Sequence, residues 1–512
     1  MIIGIKLLGG SRVCGCLSVV FRFHAEFFWI HATFIDIPLY SHYNTGILIL
    51  KKEVFCMKKR MAALLCVCLL VSVAGCNITG PGATTEVTAT EPTGTVEQKE
   101  PPGLEVYYLN ETVAAARNIV QEFVRSHPNT VVNATAFDSI EEMDRQITEE
   151  IEAGEGPDVI LFPDTTTVDT AKLALKDTFL DLSDFLAEDS TYDPQNYYPV
   201  LEAGAFCDRH FLMPLRMKVM FMMTTQDKFS NTLGLPGEYT LEQLMEALAA
   251  NGEQCLADQS AMFTMHNFDR YLYNLIRLTG TEIVDMDTLE QTISKDTLLE
   301  YTQYAWMAYG QCLKAAKQMR DYGDGNLGQM LGRNTVILSD MSLFSNTRYY
   351  GAIYSQAFEE EIRLITYPDR TSPEAVTVDI SLYAAVLNTA DDPYEAYAFV
   401  RSAMDSSFGN LNEQLPVNKE RTSELLAYLC DSAGKKVVVD STLVQILGMS
   451  VEQEEMCKEV LERISAGSIP NAGLVKIFAD TMHPAVHGEE DFETCCRVFE
   501  EELELYLNGV YE

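Results

Sequence analysis

The chain has 512 residues, 37 Lys and Arg against 75 Asp and Glu, and a formal net charge of -38 at pH 7. A chain so acidic repels phosphate backbones, which excludes nucleic-acid binding as its work. Thirteen cysteines are scattered without a C-x-x-C pair, so neither a disulfide framework nor a zinc site is indicated.

Residues 1–56 are apolar and aromatic, with little helix or strand periodicity. The codons of Lys51-Lys52-Glu53-Val54 can spell AAG-GAG-GT, a ribosome-binding sequence just ahead of the Met57 codon. Residues 1–56 therefore read as a mis-annotated upstream extension, with a membrane-active leader as the other reading; the nucleotide sequence separates the two. After Lys58-Lys59-Arg60, an apolar run from about Met61 to Ser72 ends in Val73-Ala74-Gly75-Cys76. A basic n-region, an apolar h-region and small residues before a cysteine are the pattern of a bacterial lipoprotein signal peptide, over residues 57–75. The Cys76 thiol would take a diacylglycerol, holding the chain to the extracytoplasmic face of the cell membrane through its N-terminal lipid. The run is too short for a comfortable membrane span. Without residues 1–75, which hold eight Lys and Arg and three Asp and Glu, the net charge becomes -43. That charge keeps a surface protein soluble.

Residues 76–103, rich in Thr, Pro, Gly and Glu, read as a flexible linker. From Leu104 the pattern turns to strand, helix, strand, helix, strand. Leu104–Tyr108 is a predicted strand. Glu111–Ser126 is a helix with an apolar stripe through Val113, Ile119, Val120, Phe123 and Val124, stopped by Pro128. Thr130–Phe137 alternates as a second strand. Ser139-Ile140-Glu141-Glu142 has capping-box spacing and opens a helix to Ala153. After the turn Gly154-Glu155-Gly156-Pro157, Asp158–Phe162 is apolar enough for a strand covered on both faces. This βαβαβ order implies a parallel α/β sheet with right-handed crossovers. In such sheets ligands bind beyond the carboxyl ends of the strands. Those ends carry Tyr107, Tyr108 and Asn110, then Asp164: aromatic faces, an amide and a carboxylate suited to a polar organic ligand. Strand alternation lets only one tyrosine of the pair face a cleft.

Several runs match one family together and in order. They are His127-Pro128-Asn129-Thr130-Val131-Val132, Ala153-Gly154-Glu155-Gly156-Pro157-Asp158-Val159-Ile160, Phe179–Ser183, Phe211–Pro214, Gly332–Val336, Asp392–Val400 and Leu503–Asn508. With the lipobox, this order over about Leu104–Glu512 resembles the family 1 (maltose-binding-like) extracellular solute-binding proteins of ABC importers. The resemblance implies an α/β, two-lobed periplasmic-binding-protein-like fold of type II. Each lobe would be a mostly parallel sheet flanked by helices, with a helical C-terminal region. Lobe 1 would be residues 104–213 with 388–427, and lobe 2 residues 215–386 with 428–512, hinged near Leu212–Arg216 and Tyr383–Asn388. Closure around a ligand would be the working motion.

The resemblance further implies a monomer without catalysis, cofactor or metal. It would capture a small polar solute, a sugar or oligosaccharide, for the transmembrane subunits of an ABC permease. Sugar clefts often use tryptophan, and only Trp306 follows the lipobox, so Tyr and Phe would have to stack in its place. Candidate ligand-binding residues, by position at strand ends, crossing segment and facing loops, are Tyr108, Asn110, Asp164, Arg216, Asn267, Trp306, Asp340 and Asp379. The competing classes are a surface hydrolase acting on glycans or peptides, and a ligand sensor for a membrane receptor.

Other patterns point elsewhere only weakly. Gly323-Asp324-Gly325-Asn326-Leu327-Gly328 fits G-x-G-x-x-G by letter, but a helix rather than a strand precedes it. His483 and His487 lack a third metal ligand and enclose Pro484. Met213, Met217, Met220, Met222 and Met223 read as soft packing rather than a copper site.

Overall fold

A computed structural model describes residues 3–7, 16–23, 26–33, 103–110, 115–257, 270–307, 338–341, 344–407, 414–431, 434, 436–439 and 442–509. The signal peptide, Cys76, the linker up to residue 102, the loop 323–328 and Asn267 lie outside the described residues. The chain divides into two compact units, 1–98 and 99–512. In the first, strands Ile3–Leu7, Cys16–Phe23 and Glu26–Thr33 form an antiparallel sheet. The sequence offered little periodicity there. The strands instead draw on Val, Ile and Phe, residues that suit a pleated surface. No helix among the described residues is long and apolar enough to cross a membrane.

The second unit starts as the sequence predicts. Strand β1 (Leu104–Leu109), helix α1 (Ala115–Ser126), β2 (Val132–Phe137), α2 (Ile140–Ala153) and β3 (Val159–Pro163) follow in order. β1 pairs in parallel with both β2 and β3. α1 turns Ala115, Ile119, Val120 and Phe123 into the core as its stripe requires, but Val124 of that stripe is exposed, because it lies on the flank of the helix, and Val113 lies outside the described residues. Ser139 caps α2, its Oγ accepting from the Glu142 backbone N–H at 3.1 Å. Gly154 closes α2 at φ 74°, a left-handed position that glycine takes at no steric cost. All five residues of β3 are buried, hence its unbroken apolar run.

β4 (Leu212–Lys218) and β5 (Phe221–Thr225) follow in the chain. Later come β6 (Leu338–Met341), β7 (Ile362–Thr366), β8 (Val376–Val386), β9 (Leu415–Pro416) and β10 (Ile464–Ser468). The larger sheet has the order β9-β4-β8-β3-β1-β2, with β10 added along β8; the smaller is β6-β5-β7. β8 is buried at all eleven positions and runs antiparallel to β3 and β4. The chain leaves the larger sheet after Lys218 and re-enters it at Val376. The expected hinges at 212–216 and 383–388 fall largely on strands paired inside the larger sheet, β4 and the end of β8, so the crossings between the sheets lie elsewhere, after Lys218 and ahead of Val376. Asp340 lies within β6 rather than after a strand.

Two large apolar cores form among the described residues, beside a small cluster of Ile353, Val444 and Ile446. One surrounds Val106, Ile160, Phe162 and Tyr383; the other gathers Leu244, Ile276, Tyr301, Phe478 and Phe499. Asp158 ties the first together, its carboxylate accepting from the Glu105 backbone N–H at 2.7 Å and the Asp391 backbone N–H at 2.8 Å. The C-terminal region is helical, through Val451–Glu462, Ala472–Thr481 and Phe492–Asn508. The methionines of the crossing region behave as packing: Met213, Met217, Met222 and Met223 are fully buried. Replacing Ser139 by Ala removes one cap bond, and urea denaturation should show a loss of about 1 kcal/mol. An unchanged midpoint would mean that the cap carries no stability.

Candidate functional site

The end of β3 meets the end of β10 along one edge of β8. β3 pairs with Leu382–Val386 and β10 with Val376–Asp379, so their carboxyl ends point toward each other. Between them the Asp164 backbone N–H donates to the Ser381 carbonyl at 3.1 Å. Charged side chains collect at this junction. Lys218, at the end of β4, places Nζ 2.7 Å from Asp164 Oδ2. Arg277, on the helix Tyr271–Leu278, places Nη2 2.7 Å from Asp379 Oδ1. Arg270, just ahead of that helix, donates to the Asp164 carbonyl at 3.1 Å.

The Arg277–Asp379 pair is nearly dry, with side-chain exposures of 6% and 9%. Burial pushes the Asp379 carboxyl up, Arg277 pulls it down, and the neighbouring Asp164 and Lys218 push and pull in turn. Arg277 also donates to the Ser468 carbonyl at 3.1 Å and to Asn274 Oδ1 at 3.0 Å. Its position is therefore fixed from three sides. Ser381 Oγ is buried at the junction with no hydrogen-bond partner among the described residues.

The loop that carries Asp164 is held from α2. Asp144, itself buried, accepts from Thr166 Oγ1 at 2.8 Å, from the Thr167 backbone N–H at 2.6 Å and from Thr167 Oγ1 at 2.7 Å. On the outer strands, Asn110 Nδ2 donates to Asp138 Oδ1 at 3.0 Å and Arg117 donates to Asn110 Oδ1. The carboxyl ends of β1, β2, β3 and β4 thus present an amide, two carboxylates and an ammonium on one side of the sheet. Such a set can hold hydroxyls through bidentate hydrogen bonds without doing chemistry on them.

The chain matches the bacterial extracellular solute-binding protein family over residues 108–404, more than half its length. It belongs to that family. No curated protein matches this solute-binding protein. It is similar in structure to a periplasmic oligogalacturonide binding protein from Yersinia enterocolitica: 15% identity, TM-score 0.53, covering 80% of this chain and 100% of that one. It is also similar to a sugar transporter from Rhizobium etli in an open conformation: 13% identity, TM-score 0.53, covering 79% and 99%. At these identities the likeness shows the fold, which is the two-lobed α/β fold of type II.

The residues predicted to bind separate into groups. Asp164 and Asp379 meet at the junction, and Asn110 lies at the same side of the sheet. Tyr108 is buried in the first core, while Tyr107 points to α2, its hydroxyl donating to Glu150 at 3.2 Å. Arg216 is 1% exposed and spends its guanidinium on the Leu215 carbonyl, Ser406 Oγ at 2.7 Å and the Ser407 carbonyl at 2.9 Å. It braces the loop after the helix Pro393–Met404, which is why it does not reach toward a cleft. Trp306 is 55% exposed and lies beside Gly488.

Sequence reasoning passed over Arg270 and Arg277. A cation on a short, mostly apolar helix was the one signal available. Replacing Arg277 by Met leaves Asp379 buried without its partner, and urea denaturation should show a loss of about 3–5 kcal/mol. Adding Asp379→Leu should recover most of it, because an apolar pair of similar volume needs no compensation. Additive losses in the double variant would contradict this account of the pair.

Proposed function

We propose that this chain is a lipid-anchored solute-binding protein that captures a sugar or oligosaccharide between its lobes and passes it, unaltered, to an ABC import permease. The observation that carries the reading is the strand-end junction. Asp164, Lys218 and Asp379 of the larger sheet meet Arg270 and Arg277 of the segment 270–278 there, beside Ser381 Oγ, which has no hydrogen-bond partner among the described residues. Family membership supports solute capture, and the oligogalacturonide specificity of the Yersinia neighbour is in keeping with a carbohydrate.

In this reading the two lobes are built on the larger and the smaller sheet, and the boundaries expected at 213/215 and 386/388 move to the chain's exits from the larger sheet. The links between them are the short segment after Lys218 and the segment ahead of Val376. Asn110, Asp164 and Asp379 remain the proposed polar contacts, joined by Lys218 and Arg270. Lipidation at Cys76 sets the extracytoplasmic location, and the family's location outside the cytoplasm agrees with it.

A thermal-shift screen of oligosaccharides tests the reading. A true ligand at a hundred times its Kd should add about 2.7 kcal/mol to stability and be recovered chemically intact. Asp164→Asn should weaken binding about tenfold or more, since a hydrogen bond to a charged group contributes about 1.5–3 kcal/mol. Turnover of the sugar, or full affinity in D164N, would overturn it.

A further inference from the structure

A cavity of about 740 Å³ opens in the second lobe, and none of the junction residues lines it. Its walls come from β7, the helix Phe344–Ile353 and the helix Val451–Glu462. Its volume is that of a small-molecule site, which spans about 300–1,000 Å³.

Four of its residues form a polar cluster: Tyr239, Arg363, Thr366 and Arg463. The Tyr239 hydroxyl donates to the Thr366 carbonyl at 3.1 Å. Thr366 is 1% exposed, yet its Oγ1 is buried with no hydrogen-bond partner among the described residues. The Arg363 guanidinium lies 4.1 Å over the Phe229 ring and, among the described residues, makes long bonds, 3.4 Å to Gln226 Oε1 and 3.3 Å to the Gly237 carbonyl. Its Nε is buried and also lacks a partner. Arg463 is held by the Glu374 and Pro373 carbonyls at 2.9 and 3.0 Å. Burial raises the Tyr239 phenol, while its contact with Thr366 and then Arg463 and Arg363 pull it back, so both cations act on the same spot.

Two guanidinium groups beside unmade bonds at Thr366 Oγ1 and Arg363 Nε fit an oxyanion. The rest of the wall limits its charge. Glu360, 3.8 Å from Lys228 Nζ, and the exposed Glu361, Glu452 and Glu459 also line the cavity and would repel a multiply charged ligand, while their oxygens can accept from hydroxyls.

We propose that this cavity is a second binding site, for a small hydroxylated molecule carrying a single carboxylate. The site goes beyond the capture site between the lobes and does not rest on it. A ligand here joins β7, a strand of the smaller sheet, to the helix Val451–Glu462, which leads directly into β10 of the larger one.

Isothermal titration of the whole protein with glucuronate, glucose and inorganic phosphate tests the proposal. Glucuronate should bind, with glucose and phosphate each at least about tenfold weaker, the discrimination that one charged hydrogen bond supplies. Thr366→Val is the decisive variant. Its Oγ1 makes no hydrogen bond among the described residues, so T366V should fold with a melting temperature at least that of the wild type and lose affinity about tenfold. Arg363→Gln should lose at least as much. Absence of glucuronate binding, equal binding of glucose, tighter binding of phosphate, or full affinity in T366V would each overturn the proposal. Loss of glucuronate binding in D164N would assign the ligand to the junction instead and overturn it as well.

Discussion

One buried strand, Val376–Val386, organises the second unit. It hydrogen-bonds to β3 and β10 along one edge and to β4 along the other. Asp379, Ser381 and Tyr383 are polar residues in a wholly buried strand, spread over the stretch where its pairing with β4 shifts register. Tyr383 is answered by Thr170 at 3.2 Å and Asp379 by Arg277. A buried carboxylate is tolerable only with such a partner, so the strand dictates where Arg277 and its helix must sit. The larger sheet, the crossing and the charged junction all follow from that placement.

Much of the first lobe was legible in the sequence because its signals are local. The stripe through Ile119, Val120 and Phe123, the Ser139 cap and the apolar run of β3 are each read within a dozen residues. The same holds for the helix Pro393–Met404, which Asp392 caps through the Tyr394 and Glu395 backbone N–H groups. The pairing of Val376–Val386 was not legible. Its partners lie far away in the chain, and a run apolar enough to be buried on both faces carries no register information.

The proposed site was half legible for the same reason. Position at a strand end led to Asp164 and Asn110, which lie at the carboxyl end of the larger sheet, and nearness to the crossing led to Asp379, which lies at the junction. The same rule also picked Tyr108 and Arg216, which turn into the core and against Ser406, because which way a side chain faces depends on packing that no motif records. Arg277 comes from a helix, and Arg270 from the residue before it, more than a hundred residues after β3, and only the fold brings them to Asp379 and Asp164. In a chain this acidic, these cations beside Lys218 form a local exception to the overall charge. That contrast suits a cleft which must hold a polar solute in place and still open to release it.

Lobe closure is the claim on which the account turns, and small-angle X-ray scattering of the protein with and without a saturating oligosaccharide ligand measures it most directly. The account predicts that the radius of gyration falls when the ligand is added and returns when it is removed. An unchanged radius of gyration, with binding confirmed by calorimetry in the same sample, would contradict it.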